Sequence, residues 1–191
     1  MNKDTEAVYK ILQDIFKNIW EQQKYSELKN GVLLTFNVAL IVIIARLYNS
    51  CNYSLNNLGK WMIFILIILT IGHFYFILRS FFPKDSNKEE FKWDIGTPNI
   101  FFFGDIEKFK SEKYLDLVIK DFSTGEIEEF NSSKIEKDIL LKLSNQIVKL
   151  SEITQFKYSS FKNSVYRMYS LSLLYFIFFC ILFFDPKFIL N

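Results

Sequence analysis

Trp61–Leu78 reads WMIFILIILTIGHFYFIL. No Asp, Glu, Lys or Arg interrupts it. It holds about a dozen Leu, Ile and Phe, each favouring insertion into lipid by roughly 0.3–0.6 kcal/mol. A bilayer core needs roughly 17–25 helical residues, so the stretch reads as a membrane span. Two further blocks have the same character: Gly31–Leu47, GVLLTFNVALIVIIARL, and Tyr169–Phe184, YSLSLLYFIFFCILFF. The other reading is a buried core helix, most tenable for the third block because it is the shortest.

The rest of the chain is as polar as these blocks are greasy. Of 191 residues, 50% are hydrophobic and 23% charged, and the mean hydropathy is slightly positive. With 22 Phe and 10 Tyr there is too much apolar area for a disordered chain. Two Cys do not make a disulfide scaffold, and a net charge of +2 lacks the basic surplus of a nucleic-acid binder.

Lysine placement sets the expected orientation. Lys3, Lys10, Lys17, Lys24 and Lys29 precede the first block, and 79–168 is lysine-rich. Only Lys60 lies between the first two blocks, and only Lys187 follows the third. The positive-inside rule puts the N-terminus and the middle region in the cytoplasm and the C-terminus outside. Arg46 is expected to snorkel to the outer interface. The first block is not read as a signal peptide, since a polar stretch precedes it and no small-residue cleavage site follows.

The expected fold is therefore an all-α membrane protein. It has three transmembrane helices, an amphipathic N-terminal helix and a helical cytosolic module. The boundaries are an amphipathic helix at 1–30, a two-span hairpin at 31–78, a sensor module at 79–168, a third span at 169–184 and an outer tail at 185–191. Val8, Ile11, Leu12, Ile15, Phe16, Ile19 and Trp20 recur at i, i+3, i+4, i+7, so the first helix packs on the cytosolic module or lies on the membrane surface. Asp4 or Thr5 is placed to cap it.

Arg79–Pro98 reads as a linker, punctuated by Pro83, Gly96 and Pro98. Ile100–Phe103 is compatible with a short strand. Asp105 then opens a helix carrying Ile106, Phe109, Leu115, Val118 and Ile119, and Gly125 marks a turn. Ser133 and Glu136 match a capping box. Ile135, Ile139, Leu143, Ile147, Leu150 and Ile153 form a stripe continued by Phe161 and Val165. No Gly or Pro follows before Phe184, so one long helix is expected to rise into the third span and stop at Asp185 and Pro186.

Catalytic signatures are missing. There is one His, His73, and it falls inside a span. No HExxH, CxxC, Walker loop or G-x-S-x-G occurs, so an enzyme is not expected. No metal and no cofactor is expected, and Cys51 and Cys180 read as structural. An ionisable group in a span is costly, so His73 is either functional or a neutral ring bonded to a neighbouring helix. Asn37 reads as an interhelical polar contact. What remains is recognition of a small ligand. Asn99–Ile106, NIFFFGDI, combines aromatic rings, a Gly that permits close backbone approach, and Asp105 at a helix start. Asp105 would repel phosphate, so it either caps the helix or bonds a base or ribose. A buried turn is the plainer reading.

Three stretches carry a family resemblance. SELKNGVLLTFNVAL (Ser26–Leu40) resembles the juxtamembrane D-x-K-A-x-x-L-L-x-x-N pattern of the transmembrane effectors of Pycsar, a bacterial anti-phage system. NIFFFGDI resembles their N-[LI]-x-F-F-G-D-I signature, and QIVKLSEITQFKYSSFKNSV (Gln146–Val165) their Q-I-x-x-L-S-x-I-x-x-x-K-Y pattern. Glu27 stands where the family has Asp, and Asn30 where it has Ala. The resemblance covers nearly the whole chain. It implies an effector that senses cyclic CMP or cyclic UMP made by a separate cyclase and damages the bacterial inner membrane, giving abortive infection.

A cyclic mononucleotide carries one negative charge and one base. Under this resemblance Lys29 and Lys157 are candidates for the phosphate, Phe102 and Phe103 for stacking, Gly104 and Asp105 for the turn, and Tyr158 for a bond to the base. Lys29 and Lys157 also read as positive-inside anchors, and Gln146, Ser151 and Tyr158 as helix–helix contacts. Membrane lipid and further copies of the chain are the other expected partners, with no nucleic acid. Two alternatives stand beside this reading. One is an effector of a cyclic-oligonucleotide system such as CBASS, similar to the two-span SLATT family. The other is a non-sensing, holin-like interaction protein.

Overall fold

The computed structural model describes residues 3–51, 55–82, 98–122 and 134–184. Its helices are α1 (Lys3–Cys51), α2 (Asn57–Arg79), α3 (Phe103–Ile106), α4 (Ser111–Phe122) and α5 (Lys134–Phe184). No β-strand occurs among the described residues. The linker at 83–97, Gly125, Ser133 and the stop at Asp185 and Pro186 lie outside the described residues. α1 already includes Lys3, so Asp4 and Thr5 stand inside the helix and neither is its cap.

The chain forms two compact units. The first comprises Met1–Ser26 and Pro83–Tyr158, the second Glu27–Phe82 and Ser159–Asn191. The first helical segment thus shares a unit with the middle region, and that unit ends at Tyr158, ten residues before the boundary read from hydropathy. α1 and α5 each contribute residues to both units.

In the first unit, Val8, Leu12, Ile15 and Ile19 of α1 are buried with Tyr114, Leu115, Val118 and Ile119 of α4 and Leu140, Ile147, Val148 and Leu150 of α5. The 8, 12, 15, 19 spacing follows the helical period, so all four side chains point one way. Trp20 falls at the margin of this face and is 44% exposed, with Lys24 Nζ 5.4 Å from its ring centroid.

α5 buries part of its aliphatic stripe, Ile147 and Leu150, but not the N-terminal end of it. Ile135 and Ile139 are exposed, whereas Leu140, Ser144, Ile147, Ser151 and Thr154 are buried. The hydroxyls explain how. Ser151 donates to Ile147 O at 2.8 Å and Thr154 to Leu150 O at 2.8 Å, while Ser144 donates to Ser111 O at 2.6 Å on α4. A hydroxyl satisfied by a carbonyl costs little to bury, and its small volume lets neighbouring helices approach.

In the second unit, Ile44 of α1, Ile63 and Leu66 of α2, and Leu171, Tyr175 and Phe178 of α5 form the core. Asn56 caps α2, its Oδ1 accepting from Gly59 N–H at 2.9 Å, and Ser80 Oγ closes the other end on Ile77 O at 2.6 Å. α1, α2 and α5 each carry a window long and apolar enough to cross a membrane. Within those windows only 17%, 28% and 17% of the residues are buried by protein. Phe64, Ile65, Ile68, Ile71, Leu173, Phe176 and Ile177 are all about half exposed or more. That much apolar surface needs a solvent other than water, so this is a multi-pass membrane protein.

Candidate functional site

The first unit carries an aromatic turn built by short-range hydrogen bonds. Asn99 Oδ1 accepts from Phe101 N–H at 2.9 Å, and Phe102 N–H donates to Asn99 O at 3.1 Å. Asp105 reaches back, its Oδ2 accepting from Asn99 N–H at 3.1 Å and its Oδ1 pairing with Lys108 Nζ at 3.3 Å. Phe102 is the extended residue before α3, with φ −96° and ψ 116°, and its carbonyl accepts from Asp105 and Ile106 N–H. Below the turn, the wholly buried Tyr114 donates its hydroxyl to Ile100 O at 3.0 Å. Burial pushes the Tyr114 hydroxyl well above its ordinary range.

These bonds explain why 100–103 is a turn and not a strand. Asn99 and Asp105 supply side-chain partners to the backbone that a sheet would otherwise have to supply. The helix expected from Asp105 onward is also two helices: α3 ends at Ile106 and α4 begins at Ser111.

The rings form a connected array. Phe102 and Phe103 centroids are 4.9 Å apart at 43°, and Phe103 and Tyr158 centroids are 5.3 Å apart at 33°. Phe103 sits between its two neighbours, while Phe102 is 47% exposed and presents an open face. Phe101 turns to Phe122 instead, edge to face at 6.0 Å. Tyr158 donates its hydroxyl to Gln22 Oε1 of α1 at 3.1 Å, tying α5 to α1 at the array. Gly104 is buried, and a Cβ there would lie 2.6 Å from Phe102 Cε1 and 3.0 Å from Cζ. The ring can fold over the turn only because that atom is missing.

Phe102, Phe103, Gly104 and Tyr158 are thus brought together. Asp105 shares the turn, but its carboxylate is engaged by Asn99 and Lys108. Lys157 is 8% exposed and next to Tyr158 in α5. Lys29 belongs to the second unit, with Nζ 5.5 Å from the Phe161 centroid. Beside it Asn30 is buried, and its Oδ1 has no hydrogen-bond partner. Ser151 is buried and donates within α5, and Gln146 is exposed.

Asn37 and His73 join a polar network in the second unit. Asn37 Nδ2 donates to Thr70 O at 3.2 Å, and His73 lies 3.0 Å from both Asn37 Oδ1 and Ser164 O. Thr70 Oγ1 donates to Leu66 O at 2.6 Å and is 2.6 Å from Tyr175 OH. Thr70, Tyr175, Ser164 and the Gln22 and Tyr114 contacts were not foreseen. A Tyr mid-span could have signalled its partner, since a phenol in lipid needs one.

Among the described residues no group of three or more His, Cys, Asp or Glu could hold a metal ion. The array can stack a planar ring and offer amide dipoles beside it. The family model described as the Pycsar effector protein domain matches residues 11–184. No curated protein and no solved structure matches the chain.

Proposed function

The chain belongs to the Pycsar effector family, an anti-phage cyclic-nucleotide signalling family of membrane effectors, and we propose that it responds to a cyclic pyrimidine mononucleotide by impairing the bacterial inner membrane during infection. In this reading the first unit is cytosolic and binds cyclic CMP or cyclic UMP made by a separate cyclase. The outcome for the cell is abortive infection. The chain acts by binding, with no reaction of its own, and several copies assemble in the membrane.

One observation carries the reading. The exposed Phe102 face, backed by Phe103 and Tyr158, is a stacking platform on a turn whose polar groups hold its shape. A pyrimidine stacks on Phe102, which is worth about 1–3 kcal/mol for a base on an aromatic ring. Lys157, next to Tyr158 in the chain, is the phosphate candidate within the first unit, and Lys29 is the candidate within the second. Phe103 and Tyr158 hold the platform, and Asp105 holds the turn. Ligand binding at α5 reaches the spans because α5 continues from Lys134 to Phe184. The ligand can shift the spans only by binding one of their arrangements better.

Calorimetric titration of the purified protein in detergent tests this. Cyclic UMP or cyclic CMP should bind, and Phe102→Ala should weaken binding by about 5- to 100-fold. Tight binding of a cyclic dinucleotide in place of the mononucleotides would move the chain to the cyclic-oligonucleotide alternative. No nucleotide binding at all would favour the holin-like one.

A further inference from the structure

His73 is the one histidine of the chain, and it sits where three spans meet. Its two ring nitrogens face two different helices. Nδ1 is 3.0 Å from Asn37 Oδ1 on α1, and Nε2 is 3.0 Å from Ser164 O on α5. Ser164 O is a backbone carbonyl and can only accept. The Asn37 amide is oriented by its other contact, since Nδ2 donates to Thr70 O at 3.2 Å. Reversing that amide would set Oδ1 against the Thr70 carbonyl, acceptor against acceptor. Asn37 Oδ1 is therefore an acceptor too.

A neutral imidazole has one N–H. It can donate to Asn37 or to Ser164, and its other nitrogen then faces a lone pair at 3.0 Å. An imidazolium donates from both nitrogens and satisfies both partners. Only the protonated ring donates to α1 and to α5 at once, adding to the Asn37–Thr70 and Thr70–Tyr175 bonds that already join α2 to them. We propose that His73 is a proton-binding latch: taking up a proton tightens the contact of α2 with both other spans, and losing it gives up one of the two His73 bonds and loosens that contact.

The surrounding charges set the terms. Gly31–Leu47, Trp61–Leu78 and Ser164–Phe184 contain no Asp or Glu, so no carboxylate in the spans compensates the imidazolium. Arg167 on α5, its guanidinium 3.8 Å from the Phe76 centroid on α2, opposes the charge, as does burial of the ring. Tyr175 on α5 is spent on Thr70. The two charge-assisted hydrogen bonds are what favour protonation, and each is about twice as strong as a neutral one. The latch therefore closes on acidification. By linkage, any event that parts the spans releases the proton, and the parting equilibrium changes by up to about tenfold per pH unit while His73 titrates. This holds whatever ligand the first unit takes.

The unique histidine makes the test direct. Wild-type protein labelled with nitrogen-15 in its histidine ring is placed in lipid nanodiscs and titrated from about pH 8 to about pH 5. Both ring nitrogens should become protonated as the pH falls. Over the same range, amide exchange in α2 and α5 should slow by up to about tenfold per pH unit relative to His73→Gln at matched pH. A ring that stays neutral throughout would overturn the proposal. So would a ring that protonates while exchange in the wild type and His73→Gln runs in parallel.

Discussion

Replacing Tyr114 with Phe isolates one hydrogen bond beneath the aromatic turn. The ring is wholly buried, so the substitution leaves the packing of α4 intact and removes only the oxygen. That oxygen donates to Ile100 O at 3.0 Å, and Ile100 is itself 5% exposed, so water cannot readily replace the donor. An unsatisfied buried carbonyl costs about 1–3 kcal/mol. Amides of 98–122 should exchange roughly 5- to 150-fold faster in the variant, as read by mass spectrometry. The pH dependence gives a second handle. Burial holds the folded phenol above its ordinary range, near pH 10. Above pH 10 the unfolded state releases a proton that the folded state keeps, so the wild type loses stability as the pH rises. The loss approaches about 1.4 kcal/mol per pH unit. Tyr114→Phe lacks this contribution, so the gap between the two proteins should narrow by about 1 kcal/mol between pH 10 and pH 11. Equal exchange at pH 7, or a constant gap into alkali, would refute the reasoning.

Gly104→Ala places a methyl 2.6 Å from Phe102 Cε1, so the ring must leave the turn; cyclic-nucleotide affinity should drop by about tenfold with helical content unchanged by circular dichroism. Leu12→Ala opens a cavity in the core of the first unit and should cost about 2–5 kcal/mol, seen as faster limited proteolysis of 98–122. Thr70→Val leaves the Tyr175 hydroxyl without its partner in lipid, and should lower the thermal midpoint by the equivalent of about 0.6–1.7 kcal/mol.

The spans were legible because hydrocarbon selects by composition alone, and a run such as Trp61–Leu78 has no other low-cost solvent. The length of α5 was legible for a similar reason, since no Gly or Pro interrupts 134–184. The face that α5 buries was legible only in part, at Ile147 and Leu150. Hydropathy ranks Ile135 and Ile139 above Ser144 and Ser151, yet close packing and satisfied hydroxyls reverse that order. The motif at Asn99–Ile106 was visible as letters, but its shape depends on Tyr114, fifteen residues along from Asn99, and on Asp105 bending back to Asn99. Periodicity carries no such contacts. His73 and Asn37 were singled out by the cost of polar groups in lipid, while the identity of their partners needed three dimensions.

Efflux of a trapped dye from liposomes containing the purified protein measures the link between cytosolic binding and the bilayer. Adding cyclic UMP or cyclic CMP should start efflux from protein-containing liposomes and leave protein-free ones sealed. Efflux that is the same with and without either nucleotide would contradict the account.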